Sequence, residues 1–169
     1  MLGIRYINEH DRSMGLSGMA ITLAVYDNEG LIMDIDLDRT SEPIALSHEF
    51  YFSGNPRFSA KSVWGDMARR FHLAMAMAMG NMLSRSMQRR EIFGEDDRKA
   101  LKELICNEGA ETCGLEPDEI EVLWNKDYNY LRQVFRHPTI QQMARTMAHE
   151  IEERRVLSRH EILELLDGI

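Results

Sequence analysis

The chain has 169 residues, of which 44% are hydrophobic and 28% are charged, and its formal net charge at pH 7 is −8. Such a length and composition are typical of one globular domain that buries a core of its own. The acidic balance argues against general binding to nucleic acid, because contacts with the phosphate backbone depend on Lys and Arg.

The compartment is predicted from the N-terminal residues and the cysteines. Charge occurs within the first five residues, and no apolar segment approaches the roughly 18 residues that a membrane span requires, so neither a signal peptide nor a span is expected. Cys106 and Cys113 are too few for a disulfide framework, and their spacing fits no zinc motif. We therefore expect a cytoplasmic protein with reduced thiols and no membrane contact.

Residues 1–17 form an N-terminal segment, and residues 18–53 are predicted to form a β-meander. Residues 27–30, Asp-Asn-Glu-Gly, are typical of a hairpin turn with Gly30 in the left-handed position. The flanks then pair so that one face is apolar and the other polar. The apolar pairs are Val25–Met33, Leu23–Ile35 and Ile21–Leu37. A third strand is predicted from the shared face of Ile44, Leu46, Phe50 and Phe52.

From about Ser59 the hydrophobic period becomes helical, and residues 60–90 are predicted to form one long central helix. Residues 74–79 alternate Ala and Met, but both are strong helix formers without the β-branching that strands favour. On a helix these methionines point to different sides, so the segment must be covered all round, by its own chain or by a second copy. The alternative is a soft-metal or flexible binding surface, since thioethers suit Cu(I).

Further helices are predicted after the central one. They run from Asp96 to about Asn107, from Pro117, from Pro138, and from a capping box of Ser158 and Glu161 to Gly168. The fold predicted for residues 1–169 is thus a single α+β domain. It has an N-terminal three-stranded antiparallel sheet, followed over residues 60–169 by a mainly helical array around the long helix.

Asp34, Asp36 and Asp38 place three carboxylates on one face of a predicted strand, about 7 Å apart. Hard cations take oxygen ligands, but the ligands must converge within about 2.5 Å of the ion. A straight strand holds these groups too far apart for that. A solvated face that discourages pairing of the strand edge is therefore the favoured interpretation, and a metal site is the alternative.

His48 falls within the apolar face of the predicted third strand, where a histidine is usually a core residue with hydrogen-bonded ring nitrogens. A general base would need a partner that the sequence does not identify. His48, His72 and the three aspartates are the residues from which a dispersed metal or catalytic site would be assembled. No glycine-rich phosphate loop, nucleophile elbow or Rossmann fingerprint occurs, so no cofactor is predicted.

From about Tyr128 onward, roughly a quarter of the chain resembles the C-terminal end of the peptidase domain of membrane-anchored AAA zinc proteases. The resemblance is carried by Met143–Ala144, Ile151, Glu153, Arg154, Leu157, Ser158, Glu161 and Ile162. These are packing and capping positions. The zinc motif His-Glu-x-x-His is absent, since Glu153 stands at the place of its second histidine. The resemblance implies part of a shared helical array without the proteolytic chemistry.

Two classes of function follow from these patterns. The first is a non-enzymatic protein that self-associates, for example as a homodimer, or that binds a protein partner, because the apolar helix needs cover and no reactive constellation is recognisable. The second is a metal-dependent or hydrolase-like enzyme, or a degenerate zinc-protease-like fold, whose site is assembled from dispersed His and Asp residues.

Overall fold

The longest element of the fold is α3, a helix of 27 residues. The structure, a computed structural model, describes residues 5–51, 60–87 and 95–169. In chain order the elements are α1 (Glu9–Val25), a 3₁₀ turn (Glu29–Leu31), β1 (Ile32–Asp36), β2 (Ile44–Leu46), α2 (His48–Tyr51), α3 (Ala60–Ser86), α4 (Glu95–Cys113), α5 (Pro117–Arg136), α6 (Pro138–Arg154), β3 (Val156–Ser158) and α7 (Arg159–Leu166). The fold is mixed α and β, mostly helical with a three-stranded antiparallel sheet.

The methionines of the methionine–alanine segment of α3 are buried on different sides of the helix. Met75, Met77 and Met79 point to different sides of the helix, yet none is more than 5% exposed. The helices α1, α4 and α5 pack around α3 and provide this cover. The predicted long helix is therefore confirmed over Ala60–Ser86, and its methionines are covered by the same chain, whereas Ala74 is half-buried. The predicted extension over residues 88–90 lies outside the described residues.

The backbones of α1 and α3 approach closely where each helix carries a glycine. A side-chain carbon at Gly80 would lie 2.6 Å from the carbonyl oxygen of Gly18 and would overlap the hydroxyl of Thr22. A side-chain carbon at Gly18 would in turn lie 2.5 Å from Cβ of Ser84. Only glycine permits this approach. As a result α1 is buried continuously over residues 13–24 and forms a second central helix.

A buried ion pair joins the start of α1 to the end of α3. Nε and Nη2 of Arg85 donate to the two carboxylate oxygens of Asp11, at 2.9 and 2.6 Å. Nη2 also donates to the carbonyl oxygen of Arg5 at 2.8 Å, and Nη1 donates to Oδ1 of Asn81 at 3.4 Å. The guanidinium lies 4.8 Å from the centre of the Tyr6 ring. Charge removed from water is thus compensated by bidentate pairing and further hydrogen bonds.

Residues 18–25 belong to α1, so the predicted first strand and its hairpin with residues 31–38 are wrong. Asn8 caps the helix, its side chain accepting a hydrogen bond from the backbone N–H of Asp11 at 2.8 Å. The hydroxyls of Ser17 and Thr22 donate to carbonyls four residues earlier, at 2.8 and 2.7 Å, so these polar groups are satisfied inside the helix. A helix that buries small and apolar residues on every side shows no clear 3.6-residue period.

The turn after α1 also differs from the prediction. Asp27 has a positive φ of 54°, and the chain leaves the helix there. Gly30 lies in the 3₁₀ turn and does not adopt the predicted left-handed backbone. The polypeptide therefore reverses through a helical end instead of a hairpin.

The sheet has β1 in the centre, in the order β2-β1-β3, with both pairings antiparallel. β1 and β2 lie inside the predicted meander, but the third strand comes from residues 156–158. Ile35 of β1 lies opposite Ile44 of β2 and Leu157 of β3, and all three are buried. The prediction of a sheet confined to residues 18–53 is wrong because the second edge of β1 is filled by a strand distant in sequence.

The C-terminal helices follow the predicted capping signals. α5 and α6 begin at Pro117 and Pro138, and the predicted box forms at α7. There the carboxylate of Glu161 accepts hydrogen bonds from the N–H and hydroxyl of Ser158 at 2.8 and 2.6 Å, which lower the pKa of Glu161. α4 extends beyond the predicted Asn107 to Cys113. Within the described ranges, no helix has both the length and the apolar character needed to cross a membrane.

Candidate functional site

An apolar cavity of about 250 Å³ lies between α3, α4 and the segment of β2 and α2. Helix α1 contributes one methionine to its wall. The described residues that line it are Met19, Glu42, Ile44, Leu46, Phe50, Tyr51, Met67, Arg70, Phe71, Ala74, Met77, Ala78, Glu108 and Thr112. Because most of these side chains are apolar, the cavity suits an apolar occupant.

The sequence of α3 explains why space remains at this place. Met67, Phe71, Ala74 and Ala78 are spaced by four, three and four residues, so they lie on one face of the helix. The long side chains of the first two are followed by methyl groups, which do not fill the distance to β2. Met67 is a flexible thioether, as are two further lining methionines, and such side chains adjust to the shape of an occupant.

Charged side chains stand among the apolar residues of the cavity wall. Nη1 of Arg70 donates to the carbonyl oxygen of Tyr51 at 3.3 Å. Burial raises the pKa of the Tyr51 hydroxyl, Glu42 raises it further, and Arg70 lowers it. Burial likewise raises the pKa of the Cys113 thiol, which Arg70 lowers and Glu108 raises. The charge of Arg70 thus opposes that of Glu42 at the Tyr51 hydroxyl and that of Glu108 at the Cys113 thiol.

A second constellation joins three helices through a buried carboxylate. Tyr26, which caps the end of α1, donates from its hydroxyl to Oδ1 of Asp127 on α5 at 2.8 Å. Nε2 of His72 on α3 lies 2.7 Å from Oδ2 of the same carboxylate. Asp127 is 2% exposed, whereas the side chain of His72 is 32% exposed. Burial, followed by the hydrogen bond to Asp127, raises the pKa of Tyr26, so its hydroxyl remains a donor.

This polar cluster orients His72 but does not adjoin the cavity. A carboxylate that holds one ring nitrogen fixes the orientation of a catalytic histidine. A general base also needs a substrate within hydrogen-bond reach of its other nitrogen. The cavity is lined by Phe71 and Ala74, whereas His72 points toward α5. The contacts of His72 and Tyr26 with Asp127 therefore link α1, α3 and α5.

Of the two histidines predicted as candidates, His72 lies in the polar cluster with Tyr26 and Asp127. His48 is the exposed first residue of α2 and does not lie on an apolar strand face, so that prediction is wrong. The reason is that the strand ends at Leu46, after which the chain forms a short helix. Phe52, the last residue of the predicted face, lies outside the described residues.

Two arginines form ion pairs with the three candidate aspartates, Asp34, Asp36 and Asp38. Nη1 of Arg39 lies 2.8 Å from Oδ1 of Asp34, and Nη2 lies 3.7 Å from Oδ2 of Asp36. Asp38 pairs with Arg155, which lowers the pKa of the carboxyl group. The predicted common face is wrong for Asp38, because β1 ends at Asp36. Among the described side chains, no three of His, Cys, Asp or Glu are grouped so that they hold a metal ion.

Sequence reasoning missed Asp127, although the sequence carries a signal for it. The buried stripe of α5 consists of Ile120, Trp124, Asp127, Leu131 and Phe135, spaced by four, three, four and four residues. A carboxylate at a core position of an amphipathic helix is rare unless it is paired. The position therefore predicts a buried polar partner, but the identity of that partner depends on how α1 and α3 pack.

Comparisons with known proteins were made at the level of family, sequence and structure. The chain matches no protein-family model, and the searches of curated proteins and of solved structures gave no match. The resemblance of the residues from Tyr128 onward to the AAA zinc proteases therefore stays a prediction.

Proposed function

We propose that this protein acts by binding a partner protein, whose apolar side chains enter the cavity between α3, α4 and β2. The observation that carries the proposal is the cavity, an apolar space of about 250 Å³. Methionine side chains in the wall can adjust to the shape of an occupant, so the cavity accepts a few apolar side chains of a larger partner.

Apolar surface continues beyond the cavity, as a protein interface requires. Val63 is 42% exposed and stands four residues before the lining residue Met67 on α3. Leu104 is 48% exposed and stands four residues before the lining residue Glu108 on α4. Residues four apart are neighbours on a helix surface. A partner that fills the cavity would therefore also contact these two side chains.

A different protein is favoured over a second copy of this chain. The expectation of self-association rested on the need to cover the methionine–alanine helix, and α1, α4 and α5 meet that need within one chain. A net charge of −8 also opposes the approach of two copies. The enzymatic alternative, with a metal-dependent or hydrolase-like site assembled from dispersed His and Asp residues, stays a prediction. So does the cytoplasmic location.

The test is selection of a random 12-residue peptide library, displayed on phage, against the whole protein. Enriched peptides are then titrated calorimetrically into the wild type, Ala74→Leu, which fills the cavity, and Ala110→Leu, which places the same side chain on the exposed surface of α4. We expect peptides with neighbouring apolar residues, bound equally by the wild type and Ala110→Leu. A loss of affinity of about tenfold or more is expected for Ala74→Leu.

Three results would overturn the proposal. The first is that no peptide binds. The second is that the selected peptides bind Ala74→Leu as tightly as the wild type, while this variant keeps the thermal unfolding midpoint of the wild type. The third is that n-decanol binds the wild type but not Ala74→Leu, while no peptide depends on the cavity; this result would replace the partner protein with a small apolar ligand.

A further inference from the structure

We infer that the partner segment is basic, with Lys or Arg beside the apolar residues that enter the cavity. This inference rests on the proposed function and states the chemistry of the partner. It follows from the balance of charge in and around the cavity wall, which the apolar lining alone does not reveal.

Carboxylates outnumber cations in the wall of the cavity. Glu42 is exposed and Glu108 is half-buried, and both are lining residues. Among the described residues, the cation that lines the cavity is Arg70, and its Nη1 already donates to the carbonyl oxygen of Tyr51. The cavity wall therefore carries an excess of negative charge among its apolar side chains.

The negative charge continues along α4, one of the two long helices that border the cavity. Glu111 follows Glu108 by three residues and is exposed. Because residues three apart are neighbours on a helix, this acid extends the negative region past the cavity. On α3, the half-buried Asp66 precedes Arg70 by four residues, so an acid and a base are neighbours there.

This distribution selects among partners by electrostatic complementarity. An acidic segment would bring like charges together, whereas Lys or Arg gains charge-assisted hydrogen bonds with the carboxylates. Charges at the rim of an interface act mainly on the association rate and on its salt dependence. A second copy of this acidic chain is disfavoured for the same reason.

The experiment uses the peptides selected above and two double variants with the same net charge. Glu42→Gln/Glu108→Gln neutralises the cavity wall, and Glu153→Gln/Glu164→Gln neutralises two acids on α6 and α7. We expect the selected peptides to be enriched in Lys and Arg next to their apolar residues. At about 50 mM salt their association rate should fall by about tenfold in the first double variant and stay unchanged in the second.

The outcomes separate this inference from the proposed function. Peptides that are lost in Ala74→Leu but carry no excess of basic residues would overturn the inference and leave the proposed function standing. Equal association rates for both double variants would do the same. Peptides whose binding ignores Ala74→Leu would overturn the proposed function itself.

Discussion

Replacing Gly80 by alanine should destabilise the protein, whereas the same replacement at Gly65 in the same helix should stabilise it. Both glycines lie in α3, and alanine is the better helix former by about 1 kcal/mol. A side-chain carbon at Gly65 meets nothing within 4 Å, so only the gain remains there. At Gly80 the added carbon meets the carbonyl oxygen of Gly18 at 2.6 Å and overlaps the Thr22 hydroxyl.

The magnitude follows from comparing the two variants. The gain in helix propensity is common to both and cancels in their difference. The remaining difference is the cost of overpacking, about 1–3 kcal/mol in a well-packed core. The upper end is expected, because the carbonyl of Gly18 belongs to the backbone and no change of rotamer relieves that contact. α1 and α3 must separate, and buried surface along their crossing is lost.

Urea unfolding followed by circular dichroism measures this difference. With a slope of about 2 kcal/mol per molar urea, a difference of about 2–3 kcal/mol separates the two midpoints by about 1–1.5 M. Thr22→Ala combined with Gly80→Ala should recover part of the loss, since it removes the overlap with the hydroxyl but not with the backbone. Equal midpoints for Gly80→Ala and Gly65→Ala would refute the close approach of the two helices.

Two further predictions concern the buried polar groups. Asp11→Ala should lower the free energy of unfolding by about 3–5 kcal/mol, because Arg85 stays buried without its partner. The double variant Asp11→Leu/Arg85→Met should lose less, because it removes both charges. A loss below 1 kcal/mol for Asp11→Ala in urea unfolding would contradict this prediction. The pKa of Tyr26 is higher in the folded protein than in the unfolded chain, where it is about 10. The contribution of Tyr26 to the free energy of unfolding is therefore fully present below about pH 10 and is lost as the pH rises above this value. Tyr26→Phe should therefore make the fall in stability between about pH 10 and 11 shallower, and an unchanged slope would argue against the hydrogen bond to Asp127.

Sequence patterns predicted the elements whose signals are local. The helices that open at Pro117, Pro138 and Ser158 carry their start signals in the first turn. The long helix α3 is recognised because the strong helix propensity of Ala and Met outweighs the strand-like two-residue alternation of residues 74–79. For residues 18–25 the pattern predicted a strand, whereas these residues belong to the helix α1. There, buried small residues blur the period, and Ile21 and Val25 are β-branched residues typical of strands.

The candidate site was not predictable to the same extent, because its parts are distant in the sequence. The cavity needs β2, α3 and α4 together, and no local pattern indicates that Ala74 and Ala78 face a gap. Asp127 was detectable as a charge on a buried stripe, whereas its partners Tyr26 and His72 required the packing of three helices. The three aspartates were noticed for their pattern, yet their partners, Arg39 and Arg155, decide that they do not converge.

The position of β1 in the sheet has a consequence for synthesis on the ribosome. Its partner β2 follows within a few residues, but its other edge is completed by β3, where Asp34 pairs with Ser158. At about 5–20 residues per second, translation of the intervening chain takes on the order of 10 s. Throughout that interval the nascent polypeptide presents an incomplete sheet, and a chaperone that shields strand edges would find its substrate there.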